Sequence, residues 1–222
     1  MANINVKSNR HSHQPFKLVR YFEETGLNKK LIKEIKKCEI RLPSPIQMQA
    51  IPLSLKWKDL IGIAPTGSGK TLAFLIPLIN FLLTMPSMNS ERAVHGPYAI
   101  VLGDDLDFFI IIIYIFLSFL QTNQFNWEGP TRELVLQLKE EYDRIGKRFG
   151  LKSEALVGGR SLSKQESTLN QKGVETVFGT VGRTKDAIES SMLVLNQCYY
   201  VIVDEADSMF SLDLIGNHFF SF

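Results

Sequence analysis

The chain has 222 residues, enough for one large domain or two small ones. Hydrophobic residues make up 45% and charged residues 22%, a globular balance that excludes a disordered or collagen-like chain. The formal net charge of +2 argues neither for nor against a nucleic-acid partner, and the two cysteines, Cys38 and Cys198, lie too far apart for a paired metal motif and read as buried, reduced thiols of an intracellular protein. Residues 1–19 are mostly polar, carry no apolar signal core and read as a disordered start. Between Tyr21 and Glu39, Leu27, Leu31, Ile32 and Ile35 recur at helical spacing, with Lys29, Lys30, Lys33, Lys36 and Lys37 on a solvated face. Pro43 and Pro45 are expected to stop that helix and set an extended turn, after which Gln47 opens a short second helix.

The next stretch carries chemistry. Leu60-Ile61-Gly62-Ile63 reads as a buried strand, Ala64-Pro65-Thr66-Gly67-Ser68-Gly69-Lys70-Thr71 as a glycine-rich loop, and Leu72 to Leu83 as a helix. Glycines let such a loop curl so that its N–H groups face a phosphate, and the helix adds the positive end of its dipole. Lys70 would reach the β- and γ-phosphates of a nucleotide, and the Thr71 hydroxyl would help hold Mg²⁺. The strict form of this P-loop begins with Gly, where this chain has Ala64. Gln47 upstream could read adenine, because its amide both donates and accepts, although an ordinary surface glutamine is the simpler reading of that residue alone.

Downstream, strands are expected at Tyr98 to Leu102, Ser153 to Val157, Val174 to Phe178 and Tyr199 to Val203. They alternate with helices at Glu133 to Phe149, Ser163 to Asn170 and Gly182 to Ser190. That alternation implies an α/β fold: a parallel sheet covered by helices on both faces, with ligands at the carboxyl ends of the strands. The last strand runs into Asp204-Glu205-Ala206-Asp207, the Walker B arrangement. There Asp204 would hold Mg²⁺ and Glu205 would orient or deprotonate the attacking water.

Taken together, these residues resemble the DEAD-box RNA helicases. Pro43 to Gln47 resembles the Q motif, with Phe22 at the spacing of the family's adenine-stacking aromatic. Ala64 to Thr71 resembles motif I, Pro130-Thr131-Arg132-Glu133-Leu134 motif Ia, and Gly158-Gly159 the GG motif. Thr180-Val181-Gly182-Arg183 resembles motif Ib with Val181 in place of Pro, and Asp204 to Asp207 is similar to motif II. The resemblance implies a P-loop NTPase with a RecA-like sheet that uses ATP and Mg²⁺. The nucleotide would be held by Phe22, Gln47, Ala64, Thr66, Gly67, Ser68, Gly69, Lys70 and Thr71. Lys70, Asp204 and Glu205 would serve hydrolysis, and Thr71 and Asp204 the metal. It also implies sequence-independent contacts to the RNA backbone from Thr131, Arg132, Gly159, Thr180 and Arg183. Within the family, Pro97 to Ile100 and Tyr200 to Val203 most resemble the spliceosomal branch acting at the 5′ splice site. That branch implies a monomeric nuclear protein with spliceosomal partners and no membrane association.

The chain departs from this pattern twice. Residues 103–129 interrupt the junction of Leu102 with Pro130, and without residues 104–129 the chain reads Y-A-I-V-L-G-P-T-R-E-L. The intervening residues, rich in Phe, Ile, Tyr and Asn, read as translated non-coding sequence, with a genuine family insertion as the alternative. Their apolar run, Phe108 to Leu120, is short of the roughly 20 residues a membrane span needs and is an aggregation hazard unless buried. Ser211 to Phe222 does not follow the family into motif III and a second RecA-like domain. The expectation is a partial ATP-binding domain over residues 20–222, incomplete at its C-terminus, that binds nucleotide weakly and hydrolyses little on its own. A non-catalytic nucleotide- or RNA-binding fragment is the second reading.

Overall fold

The structure, a computed structural model, describes residues 19–103, 132–159, 162–169 and 173–204. They fall into two compact units: residues up to Pro86 with Arg144–Gly150, and Ser87–Asp143 with Leu151 onward.

In the first unit, Phe22–Glu24 forms a 3-10 turn and α1 spans Lys29–Lys37. The periodicity suggested one helix from Tyr21 onward, but Gly26 sits at φ +88°, a conformation that breaks a helix, and Asn28 restarts it by capping the Lys30 N–H at 2.9 Å. The Asn28 N–H in turn donates to Asn80 Oδ1 at 2.8 Å. Leu31, Ile32 and Ile35 are buried while the five lysines are exposed, as the amphipathic pattern requires. Lys36 pairs with Glu23, and Lys37 with Glu34 at 2.6 Å; each pair lies in water and adds little stability. The helix ends at Cys38, before either proline, because Glu39 turns left-handed at φ +65°. Helices α2 (Gln47–Ser54) and α3 (Lys70–Leu82) follow and contact each other. From α2 and α3, Ile51, Leu75, Ile76, Leu78 and Ile79 are fully buried.

One expected element is missing. Leu60 to Ile63 is not a strand among the described residues, and Leu60, Ile61 and Ile63 are 42%, 83% and 87% exposed. An apolar run becomes a strand only by hydrogen-bonding to a neighbour, and no described strand pairs with it.

The second unit holds the sheet. A short helix α4 (Ser90–Ala93) precedes β1 (Ala99–Gly103), then come α5 (Arg132–Gly146), β2 (Ser153–Leu156), α6 (Leu162–Ser167), β3 (Thr176–Gly179), α7 (Val181–Glu189) and β4 (Tyr200–Asp204). The strand order is β2-β3-β1-β4, and every pairing is parallel. The central strands β1 and β3 are buried along their whole length, and β1 accordingly reads as an unbroken apolar run. Ile100, Leu102, Leu156, Val177, Ala187 and Leu193 form one buried cluster of this unit. Cys198 packs against that cluster, and burial pushes its thiol up.

Buried polar groups tie the elements together. Glu175, 3% exposed, accepts from the N–H groups of Met88 and Lys152 at 3.0 and 2.8 Å. Asp143 accepts from Lys139 and from the Ser153 hydroxyl, both at 2.6 Å. The Thr176 hydroxyl donates to the Tyr142 oxygen at 3.1 Å. Burial pushes the Tyr142 hydroxyl far above the ordinary phenol range, against a smaller opposing effect of the Thr176 bond. Among the described residues, no helix is long and apolar enough to cross a membrane.

Two predictions test this packing. Because the folded-state pKa of Tyr142 is raised, its stabilising contribution is complete below about pH 10, the free phenol value, and is lost as pH rises beyond it. Urea unfolding from pH 8 to 11.5 should therefore show Tyr142→Phe less stable by about 1 kcal/mol at pH 8, with the gap narrowing above pH 10; parallel curves would contradict the assignment. At Gly179 a Cβ would meet Thr184 Oγ1 at 2.1 Å, and that hydroxyl is buried without a partner among the described residues. Gly179→Ala should cost about 1–3 kcal/mol, much of it recovered by adding Thr184→Ala; an unchanged penalty in the double variant would mean that the strain lies elsewhere.

Candidate functional site

The glycine-rich loop is built as the sequence suggests at its carboxyl side. Gly67 and Gly69 adopt φ +75° and +91°, conformations that glycine takes without strain. The Ser68 N–H closes the turn onto the Pro65 carbonyl at 3.2 Å. Gly69 then caps α3 with no side-chain hydrogen bond, and the first intrahelical bond there is Ala73 N–H to Gly69 C=O at 3.1 Å. The first N–H groups of α3 thus have no helical acceptor, as at any helix start. Lys70 and Thr71 occupy this first turn, both half-buried; Ala64 and Ser68 are also half-buried, and Thr66 and Gly67 exposed. Among the described residues, Ser68 Oγ is buried without a hydrogen-bond partner. A buried hydroxyl with no partner among the described residues, open space beside Gly67 and the N–H groups without a helical acceptor at the start of α3 fit a phosphate group.

The Q-motif residues meet this loop directly. Gln47 is 3% exposed; its Oε1 accepts from Ser44 N–H at 3.0 Å and its Nε2 donates to the Gly69 carbonyl at 2.9 Å. The carboxamide therefore clamps the P-loop to the Pro43–Gln47 turn, and it keeps a second amide hydrogen and lone-pair capacity beyond these bonds. A Cβ on Gly69 would meet Gln47 Nε2 at 2.5 Å and Ser44 Oγ at 2.9 Å. Phe22 is fully buried, so stacking on a base requires its ring to be uncovered.

The second unit gathers other motif residues along one sheet edge. Register pairs Leu102 with Gly179, Leu156 with Gly179, and Gly103 with Asp204. Gly158-Gly159, Thr180 and Asp204 thus all lie at the carboxyl ends of parallel strands. Asp204, the last residue of β4, is half-buried. Arg132 opens α5 and is exposed, and a Cβ on Gly159 (φ +72°) would stand 3.0 Å from its Nη1, so motif Ia and the GG loop share one surface. Thr180 is the N-cap residue of α7, and its N–H donates to the Leu156 carbonyl at 3.0 Å. Val181 begins α7 where the family pattern has Pro, and the helix forms with it. The Arg183 Nε donates to Gln165 Oε1 at 3.2 Å. Glu205 and Thr131 lie outside the described residues, as does the interval 104–129. Sequence reasoning missed Gln165, a polar residue in a local pattern that gives no sign of its partner Arg183, 18 residues on. No cluster of three metal-ligating side chains occurs among the described residues.

Residues 44–217 match the DEAD/DEAH box helicase family, and the chain belongs to that family. It is 37% identical over 194 residues to an "ATP-dependent RNA helicase ddx23" of Dictyostelium discoideum, covering 87% of this chain and 20% of that protein. It is 38% identical over 195 residues to "Probable ATP-dependent RNA helicase DDX23" of Homo sapiens, with 87% and 20% covered. Among solved structures, Prp28 from Chaetomium thermophilum bound to ADP matches with a TM-score of 0.67 and 37% identity, over 87% of this chain and 40% of that one. The yeast splicing factor Prp28 matches with a TM-score of 0.69 and 29% identity, over 88% and 40%. The four-stranded parallel sheet is thus that of a RecA-like DEAD-box domain. The chain spans about a fifth of the curated relatives it matches.

The glycines of the loop give a direct test. Gly69→Ala combines a left-handed φ with two close contacts and should destabilise by about 1–3 kcal/mol while weakening binding of a fluorescent ATP analogue. Gly67→Ala meets nothing within 4 Å and should cost less in thermal unfolding. Equal effects would mean that the Gln47 clamp does not constrain Gly69.

Proposed function

We propose that this chain is the amino-terminal, ATP- and RNA-binding part of an ATP-dependent RNA helicase that remodels RNA duplexes or RNA–protein complexes in pre-mRNA splicing. One observation carries the reading: the Gly67-Ser68-Gly69 cradle, with its orphan buried hydroxyl, coincides with motif I of a family match running from residue 44 to 217. Residues 20–222 are proposed to form part of this domain, after the leading segment 1–19.

In this reading Lys70 and the N–H groups around Gly69 bind the phosphates, with Ala64, Thr66, Gly67 and Ser68 shaping the loop. Gln47 and, once its ring is uncovered, Phe22 meet the adenine. Thr71 and Asp204 hold Mg²⁺, and Glu205 positions the attacking water. ATP and Mg²⁺, when bound, supply the transferable phosphoryl group and the charge that neutralises it; the protein's task is positioning. Arg132, Gly159, Thr180, Arg183 and Thr131 contact the RNA backbone, which carries no base information and suits a sequence-independent enzyme. The splicing role in the names of the Prp28 relatives supports a spliceosomal, and hence nuclear, setting with RNA and splicing proteins as partners; the chain is proposed to be a monomer. A non-catalytic nucleotide- or RNA-binding module is the second reading.

A fluorescent ATP analogue should bind the chain, and Lys70→Ala should weaken it about tenfold or more, as loss of a charge-assisted phosphate contact does. Equal affinity of the two would overturn the assignment of the loop. The transcript separates the two readings: coding sequence for a second RecA-like domain downstream of residue 222 marks the helicase, and a message without it marks the module.

A further inference from the structure

Gln165 has no role in any motif named above, yet it is 3% exposed and fully engaged. It sits on α6, and its Nε2 donates to the carbonyls of Ala155 and Val157 at 3.2 and 3.3 Å. Its Oε1 accepts from Arg183 Nε at 3.2 Å. The amide orientation follows from chemistry: two carbonyls need a donor, and a guanidinium Nε–H needs an acceptor. One side chain therefore links the end of β2, which leads into Gly158-Gly159, to the half-buried arginine of motif Ib on α7.

We propose that Gln165 is a positioning residue that orients the Arg183 guanidinium toward the RNA backbone. The proposal rests on the reading above in which Arg183 contacts that backbone. A guanidinium is planar, so holding Nε fixes the plane of the whole fork before RNA arrives. The β2 carbonyls anchor Gln165 itself, so the arginine is referenced to the sheet edge that carries the GG loop. Glutamate could accept from Arg183 but could not donate to the two carbonyls, and its charge would cancel that of the arginine. Methionine fills similar volume and does neither.

The test measures affinity of the purified 222-residue chain for a labelled single-stranded RNA by fluorescence anisotropy across a salt series. Arg183→Ala should weaken binding and flatten the dependence of log affinity on log salt by about one ion's worth. Gln165→Met should weaken binding about 3- to 10-fold, the loss expected when one preordered side chain must be immobilised on binding, and should have no further effect once Arg183 is Ala. Should Gln165→Met fail to fold, Arg183→Lys serves instead. It keeps the charge but has no Nε to tether, so it should lose a similar factor while retaining the salt slope. A Gln165→Met penalty that persists in the Arg183→Ala background, or Arg183→Lys binding like the parent chain, overturns the positioning role. No effect of Arg183→Ala would instead refute the RNA contact itself and, with it, the proposal.

Discussion

The parallel register of four strands is the constraint on which the second unit depends. With every pairing parallel, the strands all end on the same side, and whatever follows each strand is delivered to one edge. The GG loop after β2, Thr180 after β3 and Asp204 at the end of β4 are neighbours for that reason alone. The register is secured from below by groups far from that edge. Glu175 gathers the N–H groups of Met88 and Lys152 at the start of β3, and Asp143 and Tyr142 tie α5 to β2 and β3. A slip of one residue would invert the faces of β1 and β3 and break these bonds together.

The first unit solves a different problem with local means. Its anion cradle needs no sheet to specify its curl, because two glycines at positive φ and the orphan N–H groups of a helix start define it. What the unit adds is a clamp, Gln47 between Ser44 and Gly69, which fixes where the curl begins. The close approach that a Cβ at position 69 would make to that clamp explains why glycine is needed there beyond its φ.

This difference explains what the sequence discloses. The cradle, the capped helices and the fully buried strands are local or periodic features, and the readings of Lys70–Leu82, Ala99–Gly103 and Thr176–Gly179 differ from the structure by a residue or two at most ends. Leu60 to Ile63 reads just as well as a strand, yet strand formation depends on a partner elsewhere in the chain, and none of the described strands supplies it. The helix expected from Tyr21 was broken by Gly26, a residue whose φ the apolar periodicity does not register. Among the proposed site residues, Arg132, Gly159 and Arg183 stand out in the sequence because they sit in strings that resemble family motifs. Gln165 does not, because a glutamine within a short polar helix looks the same whether it faces water or a half-buried arginine.

Both chemical regions use the same device. Gln47 accepts from one backbone N–H and donates to one carbonyl; Gln165 accepts from a guanidinium and donates to two carbonyls. A carboxamide can satisfy donors and acceptors at once, and it does so without a charge to desolvate. The absence of charge matters doubly beside surfaces proposed to meet phosphates. A buried carboxylate in either place would hold the same cationic or N–H partners more strongly, and would also repel the anion those partners are there to meet. A neutral clamp orders the binding groups and leaves their electrostatic potential to the ligand. These 222 residues carry a net charge of only +2, so the proposed anion-binding surfaces would rely on such local ordering rather than on a large overall field.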